Sequence, residues 1–326
     1  MPSCAGGSSV FASNTSGLRG RRKRLPYLAL AAFLVFCSAA CAQPANEAAA
    51  GKECYHQRDF GHAIEHLSLA LKQHPGDREI EQLLGLSYYS AGRLREAIPL
   101  LESVQSGAPS SELDGLYLLS ICYLKTDQPE KARATLARMF SVAPGSSTSY
   151  LLFAQTMVRQ HLEEQAVPEL RKAIALDARL PMAHFLLGEI YLFQLQPALA
   201  REEFQRELEI NPTVWLVYWR LGDAYFRLEK YPDAEKALKQ AIWLNETFSG
   251  PYVLLGQIAL KRGDLDLARG LLERASKMDP NNYFAHFFLA RVYQQQGRTQ
   301  DAAREFESER SLRTQKDGQL LTPSPQ

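Results

Sequence analysis

The sequence predicts an all-α solenoid of antiparallel helix hairpins, and three observations carry that expectation. Similar apolar segments recur: "LLGLSYY" at 83–89, "LLGEIYL" at 186–192, "WRLGDAYF" at 219–226 and "LLGQIAL" at 254–260. Gly188, Gly222 and Gly256 within them are spaced 34 residues apart. An alanine stands twelve residues after each of these glycines. A fixed period of this size marks units that cannot bury their apolar faces alone and must stack on their neighbours.

The first element is a leader, residues 1–42. The chain of 326 residues is 46% apolar and 22% charged, as expected of a folded protein. Its net charge of +1 is unevenly placed. Arg19, Arg21, Arg22, Lys23 and Arg24 form a cluster, residues 1–42 hold no acid, and leaving out those five cations takes the balance from +1 to −4. A mildly acidic body argues against a nucleic-acid partner, which needs a basic face. After the cluster comes "LPYLALAAFLVFCSAACA" at 25–42. Basic, apolar and small-residue regions in that order read as a secretory signal, with Ala40 and Ala42 at the small positions and a periplasmic or secreted destination. Two rival readings keep the chain on a membrane. One is an uncleaved anchor, although the run is short of the ~20 residues a span needs. The other is a lipid on Cys41, whose setting resembles a bacterial lipoprotein site with Ser38 in place of the usual branched apolar residue. Cys4, Cys37 and Cys41 fall in the leader, while Cys54 and Cys122 sit among apolar helix positions and read as buried small hydrophobes.

The array follows at 43–316, and 317–326 is expected to be a disordered tail. Aligned on the glycine, the repeats are 44–77, 78–112, 113–146, 147–180, 181–214, 215–248, 249–282 and 283–316. The glycine column reads Gly51, Gly85, Ser120, Ala154, Gly188, Gly222, Gly256, Ala290. The next column is alanine throughout: Ala63, Ala97, Ala132, Ala166, Ala200, Ala234, Ala268 and Ala302. Four residues on it is bulky: Leu67, Leu101, Leu136, Leu170, Phe204, Leu238, Leu272, Phe306. Each repeat holds two stretches of 3.6-residue apolar periodicity, hence a helix A and a helix B. Between them a turn is marked by Gly92, Gly263 or Gly297, or by a proline opening helix B (Pro129, Pro197, Pro232). Glycine inside a helix costs about 1 kcal/mol relative to alanine, so its recurrence needs a packing reason. The expectation is that the glycine column of helix A meets the alanine column of helix B, with Tyr88, Tyr123, Tyr191, Tyr225 and Tyr293 filling the wider part of that interface. Pro75, Pro109, Pro144, Pro212 and Pro280 stop helix B.

These columns resemble the tetratricopeptide repeat over residues 44–316. The resemblance implies a right-handed superhelix whose inner helices line a concave groove that binds peptides. Glu207 and Glu309 stand where an apolar residue is usual, Ala178 and Glu246 replace the late proline, and Ala259 replaces a tyrosine. Glu309 is expected to be polar because the last helix has no neighbour. Glu207 has no explanation in the sequence. The groove positions implied for this chain are Tyr89, Tyr117, Gln155, Phe185, Glu189, Phe193, Trp219, Asp223, Phe226, Gln257, Phe287 and Arg291, with Arg159, Arg227 and Lys261 one turn beyond several of them. Aromatic anchors with a few charges suit an extended or helical peptide. Some members of the family bind acidic chaperone tails through Lys and Asn residues. The matching positions here are Ala48, Lys52, Leu83, Asp114 and Leu118, which lack the asparagines, so that partner class is not expected.

One motif points elsewhere. "HAIEH" at 62–66 fits the H-x-x-E-H pattern, in which His62 and His66 share a metal and Glu65 acts as base in a hydrolase. Ala63, Ile64 and Leu67 are core positions of the same helix and turn that trio outward, where neither a third ligand nor a cleft is at hand. No phosphate-binding glycine motif is present, because each repeat glycine lies within a helix. The reading is therefore a non-catalytic binding scaffold without a cofactor, exported, with an envelope or secretion-machine assembly lipoprotein as its near alternative. The signal reading predicts a mature N-terminus at Gln43 in protein recovered from its host. N-terminal sequencing that recovers residues 25–42 in a membrane fraction would defeat it, and a lipid mass on Cys41 would favour the lipoprotein reading.

Overall fold

The computed structural model describes residues 46–104 and 112–321. The eight helix pairs are α1 (Glu47–His56) and α2 (Phe60–Gln73), α3 (Arg78–Ser90) and α4 (Leu94–Val104), α5 (Glu112–Lys125) and α6 (Pro129–Met139), α7 (Ser147–Arg159) and α8 (Glu163–Leu176), α9 (Ala183–Phe193) and α10 (Pro197–Ile210), α11 (Trp215–Arg227) and α12 (Tyr231–Leu244), α13 (Gly250–Arg262) and α14 (Leu265–Met278), and α15 (Tyr283–Gln295) and α16 (Thr299–Leu321). No strand occurs among the described residues. The leader and Pro109 lie outside them. No helix among the described residues is long and apolar enough to cross a membrane. The last helix departs from expectation, passing residue 316 and continuing to Leu321.

Every helix A ends in the same left-handed turn, whatever residue occupies it. Seven residues after the small column stand Arg58, Gly92, Asp127, His161, Leu195, Glu229, Gly263 and Gly297, all with φ between 57° and 81°. The N–H of the next residue then donates to the carbonyl three residues past the small column: Asp59 to Cys54, Arg93 to Tyr88, Gln128 to Tyr123, Leu162 to Met157, Gln196 to Tyr191, Lys230 to Tyr225, Asp264 to Ala259 and Arg298 to Tyr293, at 2.8 to 3.0 Å. This closure satisfies carbonyls that the helix end would otherwise orphan. Glycine takes the conformation freely, whereas an L-residue bears roughly 1–2 kcal/mol. Five of the eight turns therefore hold strain that the hairpin's packing offsets.

That packing corrects the expected partner of the glycine column. A Cβ added at Gly51, Gly188, Gly222 or Gly256 would lie 2.5–2.6 Å from Leu67, Phe204, Leu238 or Leu272, respectively. The bulky residue of helix B, rather than the alanine one turn earlier, rests on the backbone of helix A. The alanines are buried all the same, and so are the bulky residues from Leu67 to Leu272. Pro75, Pro212 and Pro280 directly follow the helix-B caps His74, Asn211 and Asp279. Buried side chains form one continuous cluster from Ala97 to Ala237, with further clusters towards both ends. Cys122 belongs to this core, and burial pushes its thiol up to about 11. Cys54 is half-buried.

The tyrosines act between repeats as well as within one. The Tyr123 hydroxyl donates to Glu102 and that of Tyr293 donates to Glu273 at 2.9 Å. Arg171 and Gln205 donate to the hydroxyls of Tyr191 and Tyr225, both at 3.1 Å. Each partner lies on helix B of the preceding repeat. Helix A also touches the next helix A, in the pairs α1 and α3, α9 and α11, α11 and α13, and α13 and α15, whereas no pair of successive B helices makes contacts of that extent among the described residues. The A helices thus crowd together as the inner layer.

Glu207 now has an explanation. The buried carboxylate on α10 accepts the backbone N–H groups of Met182 at 2.7 Å and Phe185 at 3.2 Å. Met182 opens α9 in a left-handed conformation and supplies no side-chain cap of its own. The carboxylate therefore caps α9 from the opposite helix, at the end where the helix dipole favours negative charge. Glu309, at the equivalent position of the last repeat, has a side chain only 16% exposed and lies 3.8 Å from Arg313, so an open helix end is not what accounts for it.

Two glycine substitutions separate turn strain from close packing. Gly263→Ala adds a Cβ with nothing within 4 Å at a residue with φ of 81°, and is expected to cost about 1 kcal/mol through conformation alone. Gly188→Leu collides with Phe204 and is expected to cost about 1–3 kcal/mol by overpacking, with helicity retained. Urea midpoints followed by circular dichroism check both, and a Gly188→Leu midpoint equal to wild type would refute the close approach.

Candidate functional site

The positions expected to line a groove lie on seven successive A helices, and the structure divides them by burial. Phe185 and Asp223 are buried, which corrects their assignment as groove surface. Phe185 belongs to the core and its ring lies 5.8 Å from Phe204. Asp223 receives Arg227 at 2.9 Å and has Arg220 at 3.7 Å. Tyr89, Tyr117, Gln155, Glu189, Trp219, Phe226, Gln257 and Phe287 are half-buried. Arg159, Phe193, Arg227, Lys261 and Arg291 are exposed.

Several half-buried aromatics are occupied by their neighbours. Tyr89 and Tyr117 pack against the main core, and burial raises the Tyr89 phenol above its ordinary range. Phe226 packs with the cluster of Ala234, Leu238, Leu255 and Ile258. Phe287 lies 5.1 Å from Phe288 and 6.2 Å from Phe306. Trp219 meets Phe248 edge-on at 4.9 Å and lies against Gly250, so it joins the sixth repeat to the seventh. Its indole N–H finds no acceptor among the described residues. Trp215 also rests on Phe248, at 4.7 Å, while Trp243 on α12 is 77% exposed. The three tryptophans of one repeat therefore do not form one patch.

Charge follows a clear division. Glu189 on α9 is held by Arg220 on α11 through two contacts of 2.5 Å, and the Arg220 guanidinium lies 4.7 Å from the Trp219 ring centre. Glu189, Arg220, Asp223 and Arg227 thus form a chain of alternating sign across the fifth and sixth repeats. Sequence reasoning missed Arg220, although it breaks a column that is otherwise apolar (Leu83, Leu118, Leu152, Leu186, Leu254) and Glu189 stands at the inner position of the previous repeat. Arg159, Lys261 and Arg291 make no ion pair among the described residues, although Lys261 and Arg291 each lie 6.0 Å from an aromatic ring, Phe226 and Phe287. Lys125 occupies the same column as Arg159, Arg227 and Lys261, and alignment alone could have found it. Phe193 breaks that column and is 72% exposed, beside Leu195 at 76% and Leu199 at 42%.

The H-x-x-E-H residues are parted by their partners. His62 Nδ1 lies 2.7 Å from Asp59, the cap of α2, whereas His66 Nδ1 lies 2.6 Å from Glu47 on α1. Asp59 raises the His62 imidazole above its usual range by hydrogen bonding. No group of three His, Cys, Asp or Glu side chains among the described residues is placed to hold a metal.

Family models described as tetratricopeptide repeat match residues 49–112, 191–247 and 253–312, and 88–155. TPR repeat-containing protein YpiA of Bacillus subtilis (strain 168) is 28% identical over 260 residues, covering 77% of this chain and 57% of the relative. Anaphase-promoting complex subunit 3 of Schizosaccharomyces pombe is 24% identical over 217 residues, covering 65% of this chain and 32% of the relative. The chain therefore spans little more than half the length of one and a third of the other. A solved form of MamA from Desulfovibrio magneticus RS-1 superposes with a TM-score of 0.47 at 19% identity, over 52% of this chain and 97% of that one.

The Asp223 geometry predicts that its removal acts on stability. Asp223→Ala leaves Arg220 and Arg227 without their shared carboxylate, at an expected cost of about 2 kcal/mol. A urea melt at low and high salt checks this, and an unchanged midpoint would return Asp223 to the free surface.

Proposed function

Because the chain belongs to the tetratricopeptide repeat family, we propose that it is a non-catalytic scaffold that holds an extended or helical segment of a protein partner against its layer of A helices. The observation that carries this reading is the set of helix-A side chains that packing leaves exposed: Arg159 on α7, Phe193 on α9, Lys261 on α13 and Arg291 on α15. An exposed phenylalanine among cations has no role in holding a hairpin together, and burial against a partner is the ordinary use of such an anchor. The name of one relative, a subunit of the anaphase-promoting complex, supports a role in assemblies. We place the scaffold outside the cytoplasm on the leader pattern alone, and Cys41 in its lipoprotein-like setting supports attachment to an envelope assembly as the second reading.

Photo-crosslinking in the native host tests the face. A crosslinkable residue at Phe193 or Lys261, on helix A, is expected to capture a protein segment, and the same residue at Trp243, on helix B, is not. Adducts from position 243 with none from 193 and 261 would move the binding surface to the outer layer.

A further inference from the structure

Two histidines share one column of the array. His184 on α9 and His286 on α15 each stand four residues before the small column, three repeats apart. Each Nδ1 lies 2.6 Å from a carboxylate of its own helix B, Glu203 on α10 and Glu305 on α16. A carboxylate only accepts, so the hydrogen of that bond sits on the ring. The two differ at Nε2. His286 Nε2 donates to the Pro280 carbonyl at 3.0 Å. In the fifth repeat Ala178 stands where Pro280 does, and His184 Nε2 has no hydrogen-bond partner among the described residues.

The cause is local. Pro181 keeps Leu180 out of the helical region, and α9 begins two positions later in its repeat than α15 does. The longer turn leaves a cavity of 330 Å³ lined by Ala178, Arg179, His184, Arg206, Glu209 and Ile210. His184 is only 6% exposed. With Nδ1 taken by Glu203, the free nitrogen is the one left to this cavity. A buried nitrogen that meets an oxygen in the sister repeat and none here is matched by an oxygen from outside the chain.

The rim gives the charge of that oxygen. Arg179 is exposed and makes no ion pair among the described residues. Arg206 Nη1 reaches Glu203 at 2.6 Å, so both Glu203 oxygens are engaged and the rest of the guanidinium is left to the cavity. Three acids stand near. Glu209 is unpaired on the rim among the described residues, Glu207 is turned to the backbone of α9, and Asp177 accepts the Arg179 N–H. They tell against a multiply charged phosphate, whereas planar guanidiniums match a carboxylate.

We infer that this cavity, between the turn from α8 to α9 and the end of α10, binds a single carboxylate. One oxygen takes the Nε2–H of His184, and the guanidinium groups of Arg179 and Arg206 take the other. With Nδ1–H already donated to Glu203, a hydrogen on Nε2 makes the ring an imidazolium, so a carboxylate binding to the neutral ring brings one proton with it. The site lies at the opposite end of α9 from Phe193 and stands or falls apart from the inner-face proposal.

Nitrogen NMR of the purified protein with labelled histidines tests it, with sodium acetate as the probe. The His184 signals are those lost in His184→Asn. Acetate is expected to shift them saturably, with a Kd on the order of 1 mM, and to bind more weakly at pH about 8 than at about 6. The His286 signals are expected to stay in place, because both ring nitrogens are engaged. Arg179→Ala removes an exposed side chain and is expected to weaken acetate about tenfold with an unchanged thermal melt. An N-acetylated alanine peptide with a free C-terminus, and its C-terminal amide, separate two sources of the carboxylate. Tighter binding of the free-ended peptide than of acetate, lost on amidation, supports a chain terminus as the occupant, and no gain over acetate supports a free organic acid. The inference is overturned by the absence of a saturable shift at about 100 mM acetate. The same shift with sodium chloride, tighter binding of inorganic phosphate than of acetate, or wild-type affinity in Arg179→Ala would overturn it as well.

Discussion

One contact sets the geometry of each hairpin: a bulky side chain of helix B lying on bare backbone of helix A. Leu67, Phe204, Leu238 and Leu272 would each be struck by a Cβ at the glycine beneath them. The axes can approach this closely only where the column is small, and that approach buries the alanine one turn earlier. The strained turns follow from the same constraint. Two helices held at short range need a tight reversal, and the left-handed residue provides one, closed by the bond that the next N–H donates back to helix A, even where the residue is Leu195 or Glu229. The loss at the turn is small beside the buried surface that the hairpin gains.

Much of this was legible because repetition turns weak signals into strong ones. A single small residue in a helix says little, whereas eight in register fix the helices, their order and the side that packs. What stayed illegible was pairing across space. Gly188 could be read as a close-contact site, but whether Ala200 or Phe204 lay over it depends on helix rotation, and the two candidates are one turn apart. The tyrosine column was visible, but its hydroxyls reach to the preceding repeat, some twenty residues back, and no local pattern reports that. Glu207 is understood only once Met182 is seen to open α9 without a cap of its own.

The inner layer was the hardest part to read, and the reason is physical. Residues on the inner face of helix A either reach the partner side or tuck under the neighbouring helix A, and both roles favour large side chains. Phe185 and Trp219 share a column, yet one is core and the other joins two repeats. Charge was ambiguous in the same way: Asp223 looked free and is enclosed by two arginines, while Lys125 and Arg159 are open to solvent. Residues that break their column, such as Phe193 among cations, were the more informative ones.

The links between repeats are much lighter than the hairpins they connect. Apolar packing runs through them as one cluster from Ala97 to Ala237, and at four junctions a tyrosine hydroxyl adds a bond to the preceding helix B, with a net contribution of about 1 kcal/mol. Each repeat contacts chiefly its neighbours, so small changes at the junctions accumulate along the array. A slight tilt at each junction leaves the local chemistry intact, yet it adds along the array and alters the separation of the two ends far more than any one contact moves. Curvature can change in this way without unfolding a helix.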